Sequence, residues 1–138
     1  MPAAAEMTVS EHLRRIPPVV RRTVQAARRT VKSAAPKAEE IAYRSSRARG
    51  ASPPSMYKIC RYVVDDVQVA GIGTFPTYAS LFFSRGRELD DGSGLLGGTG
   101  EARFVRLRTP ADAERPAVKR IVRQAFKLGG TTTKRKKR

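Results

Sequence analysis

A chain of 138 residues, 40% of them hydrophobic, has the size of one domain and enough apolar material to close a single core. The excess of 28 lysines and arginines over 12 acids, a formal net charge of +16, bears on partners rather than on fold, and directs attention to nucleic acid, anionic lipid or an acidic protein. The single cysteine, Cys60, excludes an internal disulfide; the single histidine, His12, is too distant in sequence to join it in a zinc site of standard spacing. No apolar run reaches the roughly 18 residues of a membrane span, and residues 1–6 lack the basic start and apolar centre of a signal peptide, so cytoplasm is the expected location.

Residues 1–7 are small and polar, without periodicity, and read as a mobile end. Ser10 fits the N-cap of a short helical turn through Arg15, on which His12 would face solvent. Pro17 and Pro18 interrupt, and a proline at the first helical position opens a longer helix. There Val20, Val24, Ala27, Val31 and Ala34 recur at spacings of three and four, with Arg21, Arg22, Arg28, Arg29 and Lys32 opposite them, which predicts an amphipathic helix with a basic outer face. Residues 35–40 read as a helical restart, with Pro36 in its first turn and Glu39 and Glu40 where a helix start favours negative charge. The serine- and proline-rich residues 44–55 form a loop.

Strand signals follow. Residues 56–64 are rich in β-branched and aromatic side chains, Asp65 and Asp66 make a turn, residues 67–73 return, residues 74–77 break the run, and residues 78–83 make a third strand. After the glycine-rich stretch 92–100, residues 104–108 make a fourth. Its Val105 and Leu107 point one way and Phe104, Arg106 and Arg108 the other, as in a sheet covered on one face and wet on the other. Thr109 caps a turn begun by Pro110, and Pro116 resets a last helix with Val118, Ile121, Val122, Ala125 and Phe126 inward and Lys119, Arg120 and Arg123 outward. Residues 129–133 separate that helix from Lys134, Arg135, Lys136, Lys137 and Arg138, five cations at the very end. The expected architecture is a two-layer α+β domain over residues 8–128, an antiparallel meander of about four to five strands packed on N- and C-terminal helices, with mobile ends at 1–7 and 129–138.

Three segments resemble the YdhG-like family, small bacterial domains of unknown function with a frataxin-like α-β-α fold. They are Ala35 and Pro36 with Glu39, Glu40 and Tyr43; residues 80–88 with Leu95, Leu96, Gly98, Thr99 and Gly100; and residues 104–123. The resemblance implies that fold for residues 8–128 and, through the frataxin analogy, intracellular iron binding as an alternative function, with Glu39 and Glu40 as metal ligands. The chain departs from the family after Tyr43, where Arg44, Ser45, Ser46 and Arg47 replace a proline and an aromatic, and its outer helical faces are arginine-rich rather than acidic.

Hard cations need clustered oxygen ligands. Beyond the paired glutamates the candidates are Asp65 with Asp66, which fit a turn better, and Glu88 with Asp90 and Asp91. The glycine-rich stretch could present amides to an anion beside Arg85, Arg87 and Arg103. It is no phosphate-binding loop of the Gly-Lys-Ser/Thr type, however, and glycine also serves plain turns. Weak, sequence-independent nucleic-acid binding is supported by Arg21, Arg22, Arg28 and Arg29, by Arg106 and Arg108 beside Phe104, and by the terminal cations, although one exposed aromatic is a thin stacking platform. Ser80, Ser84 and Ser93 have no placeable histidine, and Cys60 sits in an apolar strand, so covalent catalysis is not expected. The reading is a non-catalytic cytoplasmic binding module with an anion-preferring basic surface and no resident cofactor; the alternatives are an iron chaperone and a non-specific nucleic-acid-associated protein.

Overall fold

The computed structural model describes residues 8–43, 56–89 and 92–132, with side chains through Gly129. The expectations for residues 1–7, for the loop 44–55, for Asp90 and Asp91 and for the terminal cations from Lys134 to Arg138 fall outside the described residues. The fold is α+β. Helices α1 (Val9–Arg14) and α2 (Pro18–Ala34) precede strands β1 (Glu39–Ala42), β2 (Tyr57–Val64), β3 (Val67–Phe75), β4 (Tyr78–Phe83), β5 (Leu96–Gly97) and β6 (Arg103–Leu107), and α3 (Pro110–Ala113) and α4 (Pro116–Thr132) follow. The strands form one antiparallel sheet in the order β1-β2-β3-β4-β6-β5.

Six strands replace the expected four to five. The short β5 emerges inside the glycine-rich stretch and pairs Gly97 with Phe104. The other added strand, β1, lies where a helical restart was expected. Glu39 and Glu40 are poor strand formers taken alone, but the edge of β2 satisfies the backbone here and Glu40 finds partners in α2 and β2. Between β2 and β3, Asp65 (φ 51°) and Asp66 (φ 66°) both take the left-handed conformation that a two-residue hairpin turn requires and that aspartate tolerates. Strand β3 runs on to Phe75, so only Pro76 and Thr77 turn the chain into β4.

Two register shifts between β2 and β3 leave Ile59 and Val69 as extra residues, and both are buried. Such bulges increase twist, and here they add two apolar side chains to the face that the helices cover. On that face Cys60, Ile72, Leu81 and Val105 form a continuous row across four strands. Against it pack Val20, Val24, Ala27 and Val31 of α2 and Val118, Ile121, Val122 and Ala125 of α4. The helical spacings read from sequence thus do face the core.

The helix starts are set by local chemistry. Thr8, not Ser10, caps α1 through a reciprocal pair with Glu11, and Thr109 with Asp112 does the same for α3. His12, expected in solvent, is fully buried: Nε2 lies 2.8 Å from the Tyr43 carbonyl oxygen, Nδ1 lies 3.2 Å from the Tyr57 hydroxyl, and the ring stands edge-on to Tyr57. It fastens α1 to the sheet through residues 31 and 45 positions away. Helix α4 continues to Thr132, past the expected break at Gly129. A Cβ at that glycine would come 2.6 Å from Val69 Cγ2, so its bare backbone permits the helix to close on the β3 bulge.

Gly86, at the head of a 3-10 turn (Gly86–Glu88), is constrained in the same way. A Cβ there would collide with the Arg103 Cβ and lie 2.6 Å from the Arg103 backbone nitrogen, which strand pairing holds in place. Gly86→Ala is therefore expected to destabilise the fold by about 2 kcal/mol, the middle of the overpacking range. Gly100→Ala, which meets nothing within 4 Å, serves as the control. Urea midpoints of the two variants check this, and equal midpoints would contradict it.

Candidate binding face

The sheet face opposite the helices is built by strand alternation. The row Ile41, Arg61, Gly71, Phe82, Phe104 and Gly97 crosses all six strands, and beside it runs Lys58, Gly73, Ser80 and Arg106. Phe75 pairs with Tyr78 at the end of the same face. None of the aromatic residues Phe75, Tyr78, Phe82 and Phe104 belongs to the buried core cluster or to the hydrophobic residues packed against it. All four are partly exposed.

Glycines let these rings approach the sheet. A Cβ at Gly97 would lie 3.0 Å from the Phe104 ring, and one at Gly73 would lie 2.9 Å from the Met56 sulfur and 3.2 Å from Phe82. The rings and the thioether occupy the space that side chains would have filled. Phe82 and Phe104 meet edge-on at 6.2 Å, while Phe75 and Tyr78 stack at 4.9 Å with 21° between their planes. Between the pairs lies a groove of about 180 Å³ lined by Met56, Phe75, Tyr78, Ser80, Phe82, Phe104 and Arg106.

Cations crown this apolar floor. The Arg106 guanidinium carbon sits 5.1 Å from the Tyr78 ring centre and 5.7 Å from that of Phe104, within cation–π range of both. Lys58 Nζ lies 5.2 Å from the Tyr43 ring centre. Burial above all pushes the Tyr43 phenol pKa upward, against the opposing influence of the neighbouring Gln68 side chain. Among the described residues, Arg106, Lys58 and Arg61 form no ion pair, and Glu39 at the margin of β1 is the one acid in the paired rows of this face. The arrangement offers flat apolar surface for a ring and guanidinium and ammonium groups for its negative charge.

Most other arginines singled out from sequence are engaged elsewhere. Arg21 donates to the Leu13 and Ile16 carbonyls, holding the α1–α2 corner, and Arg28 forms a bidentate pair with Glu40; neither belongs to a free basic outer face. Arg85 binds Glu88 and the Leu128 carbonyl, Arg87 lies 3.6 Å from Glu101, and Arg103 donates to the Gly100 carbonyl. The glycine-rich stretch therefore does not gather three free guanidinium groups. Arg22, Arg29 and Arg108 remain exposed, with Arg29 at 3.3 Å from Glu114.

Glu39 and Glu40, adjacent on a strand, belong to opposite faces. The Glu40 carboxylate receives Arg28 at 2.7 and 3.0 Å and the Tyr62 hydroxyl at 2.6 Å. Among the described residues no group of three or more His, Cys, Asp or Glu side chains could hold a metal ion. Cys60 is buried beside this network, and desolvation first of all pushes its thiol up to about 12, which leaves little thiolate at neutral pH.

Sequence reasoning found Phe104, Arg106 and the two-faced β6. It missed Phe75, Tyr78 and Phe82 as companions, so the single-aromatic platform is corrected to four rings. The signal was present in β4, where Tyr78, Ser80 and Phe82 alternate with the buried Ala79, Leu81 and Phe83. Comparison of the chain with protein-family models, curated proteins and solved structures finds no match.

Proposed function

We propose that the protein is a non-catalytic binding module whose aromatic sheet face takes single-stranded nucleic acid. The observation that carries this reading is Arg106 poised over both Tyr78 and Phe104 above an apolar groove of about 180 Å³, with Lys58 and Arg61 on the same face. Bases have two apolar faces and a linked phosphate, and single-strand binders combine stacking aromatics with a basic track in this manner. The net charge of +16 supports the same class of partner by raising its local concentration through long-range attraction. A duplex keeps its bases stacked on one another and would meet only the cations. The same proposal extends to a cytoplasmic location and to kinship with the YdhG-like family, small domains without an assigned activity.

The test is anisotropy of a labelled single-stranded dodecanucleotide, and of its duplex, across a salt series. It uses the full chain and a chain whose terminal cations, Lys134 to Arg138, are replaced by serine. The expected result is preference for the single strand, with a slope of log affinity against log salt of about −2 surviving the serine replacement, the contribution of three phosphate contacts. Duplex preference, or a slope that vanishes with the terminal cations, would refute the sheet face as the site.

A further inference from the structure

The helix layer carries a second feature that neither the fold nor the sheet face explains. Helices α2 and α4, each 17 residues long, contain no aspartate or glutamate. Their first turns hold no acid, although a helix start favours one, and Lys119 stands close to the start of α4 where its charge opposes the helix dipole. Lys119 and Arg123 are like charges at i,i+4, a spacing that weakens a helix. The cations of this layer are thus left uncompensated within their own helices.

Between the two helices lies a cleft of about 300 Å³, the lower end of the range of ligand sites, lined by Arg29, Thr30, Ser33, Glu114, Lys119 and Arg123, with Ala34 at its edge. Lys119 and Arg123 form no ion pair among the described residues. Arg29 is held only by Glu114, at 3.3 Å, with both side chains about half or more exposed, so that contact is readily exchanged. The Thr30 hydroxyl is committed to the Ala113 carbonyl at 2.9 Å and fixes the wall of the cleft, while exposed Ser33 offers a free donor at its rim.

We propose that this cleft binds a phosphate-bearing ligand, with Arg29, Lys119 and Arg123 as its cations and Glu114 as an internal competitor for Arg29. Three cations and one carboxylate leave the site with two uncompensated positive charges, the complement of a phosphate dianion. The two guanidinium groups come from different helices and meet such an anion from two sides, which suits their planar donor forks. The site lies on the helix layer, away from the sheet face, and does not depend on the reading of that face.

Calorimetric titration of the full chain with inorganic pyrophosphate tests it. Arg123→Gln is expected to weaken binding about tenfold or more, since a charge-assisted contact is lost. Glu114→Gln is expected to tighten binding, by up to about fivefold, because the competing ion pair disappears. Arg22→Gln, exposed on α2 and outside the lining of the cleft, is expected to leave pyrophosphate binding unchanged. A short DNA duplex is then added to the pyrophosphate complex: displacement assigns the phosphates to a nucleic-acid backbone, and no displacement assigns them to a small phosphorylated molecule. Absence of binding by the unaltered chain, wild-type affinity in Arg123→Gln and Arg29→Gln, or weakened binding in Glu114→Gln would each overturn the proposal. All of these residues are exposed, and matched circular dichroism spectra confirm that the variants are folded.

Discussion

Glu40→Ala is expected to lose about 2 kcal/mol of folding stability, below the range for one partner of a fully buried ion pair because this pair is only partly buried. The carboxylate side chain is 12% exposed and that of Arg28 is 22% exposed, so replacement leaves the guanidinium with Gln25 as its remaining side-chain acceptor, at 2.8 Å, and with limited access to water. It also deprives the buried Tyr62 hydroxyl of its 2.6 Å acceptor. Tyr62→Phe is expected to lose about 1 kcal/mol, one ordinary hydrogen bond, because Arg28 and Glu40 then still satisfy each other. Urea midpoints measure both, and equal losses would show that the network is not centred on Glu40. The pH dependence follows from the same contacts. Burial by itself would raise the Glu40 pKa, but the hydrogen bonds from Arg28 and Tyr62 and the charge of Arg28 outweigh it and hold the carboxyl below its ordinary 4.5. A group depressed in the folded state contributes its stability fully above the ordinary value and loses it as pH falls through the folded one. The stability difference between the native chain and Glu40→Gln should accordingly be constant from pH 7 down to about 5 and shrink below 4.5. A difference that grew on acidification would reverse this assignment.

That network also marks where the sequence was legible and where it was not. The core stripes of α2 and α4, the Asp65–Asp66 turn, the Thr109 cap and the two-sided β6 depend on local periodicity and turn chemistry, and they stand in the structure as read. Strand β1 and buried His12 depend on partners far along the chain. Glu40 reaches Arg28 and Tyr62, 12 and 22 positions away, and His12 reaches Tyr43 and Tyr57. No local pattern separates a glutamate pair at a helix start from one on an edge strand, since propensity alone favours the former and the tertiary contact decides for the latter. The same limit applied to the binding face. Phe104 and Arg106 were visible through alternation within one strand, but their meeting with Tyr78 and Phe82 is set by the β4–β6 register, which pairs Phe82 with Phe104 and Ser80 with Arg106. Arginine counts misled for a related reason. Arg21, Arg28 and Arg85 look like free charge in sequence, whereas each is bound to a carbonyl or a carboxylate that folding brings to it.

Arg106→Ala is expected to weaken binding of a single-stranded oligonucleotide about tenfold, and Tyr78→Leu by a similar factor, because stacking on one aromatic ring is worth about 1–3 kcal/mol per base. Leucine keeps apolar bulk against Phe75 but removes the flat π surface, so the substitution separates stacking from burial. The two losses should not add. Arg106 lies over the Tyr78 ring at 5.1 Å, and removing either partner also releases the other from its position, so the double variant should fall short of the hundredfold product. Folding stability should change little for Arg106→Ala, since the side chain is exposed and forms no ion pair among the described residues. Arg22→Ala, also exposed but on α2, controls for the loss of one unit of charge. If binding is only attraction to a highly basic surface, Arg22→Ala and Arg106→Ala will weaken it alike and Tyr78→Leu will do nothing. If the aromatic face is the site, the two sheet variants will stand apart from the helix variant and will be coupled to each other, a result that bulk charge cannot produce.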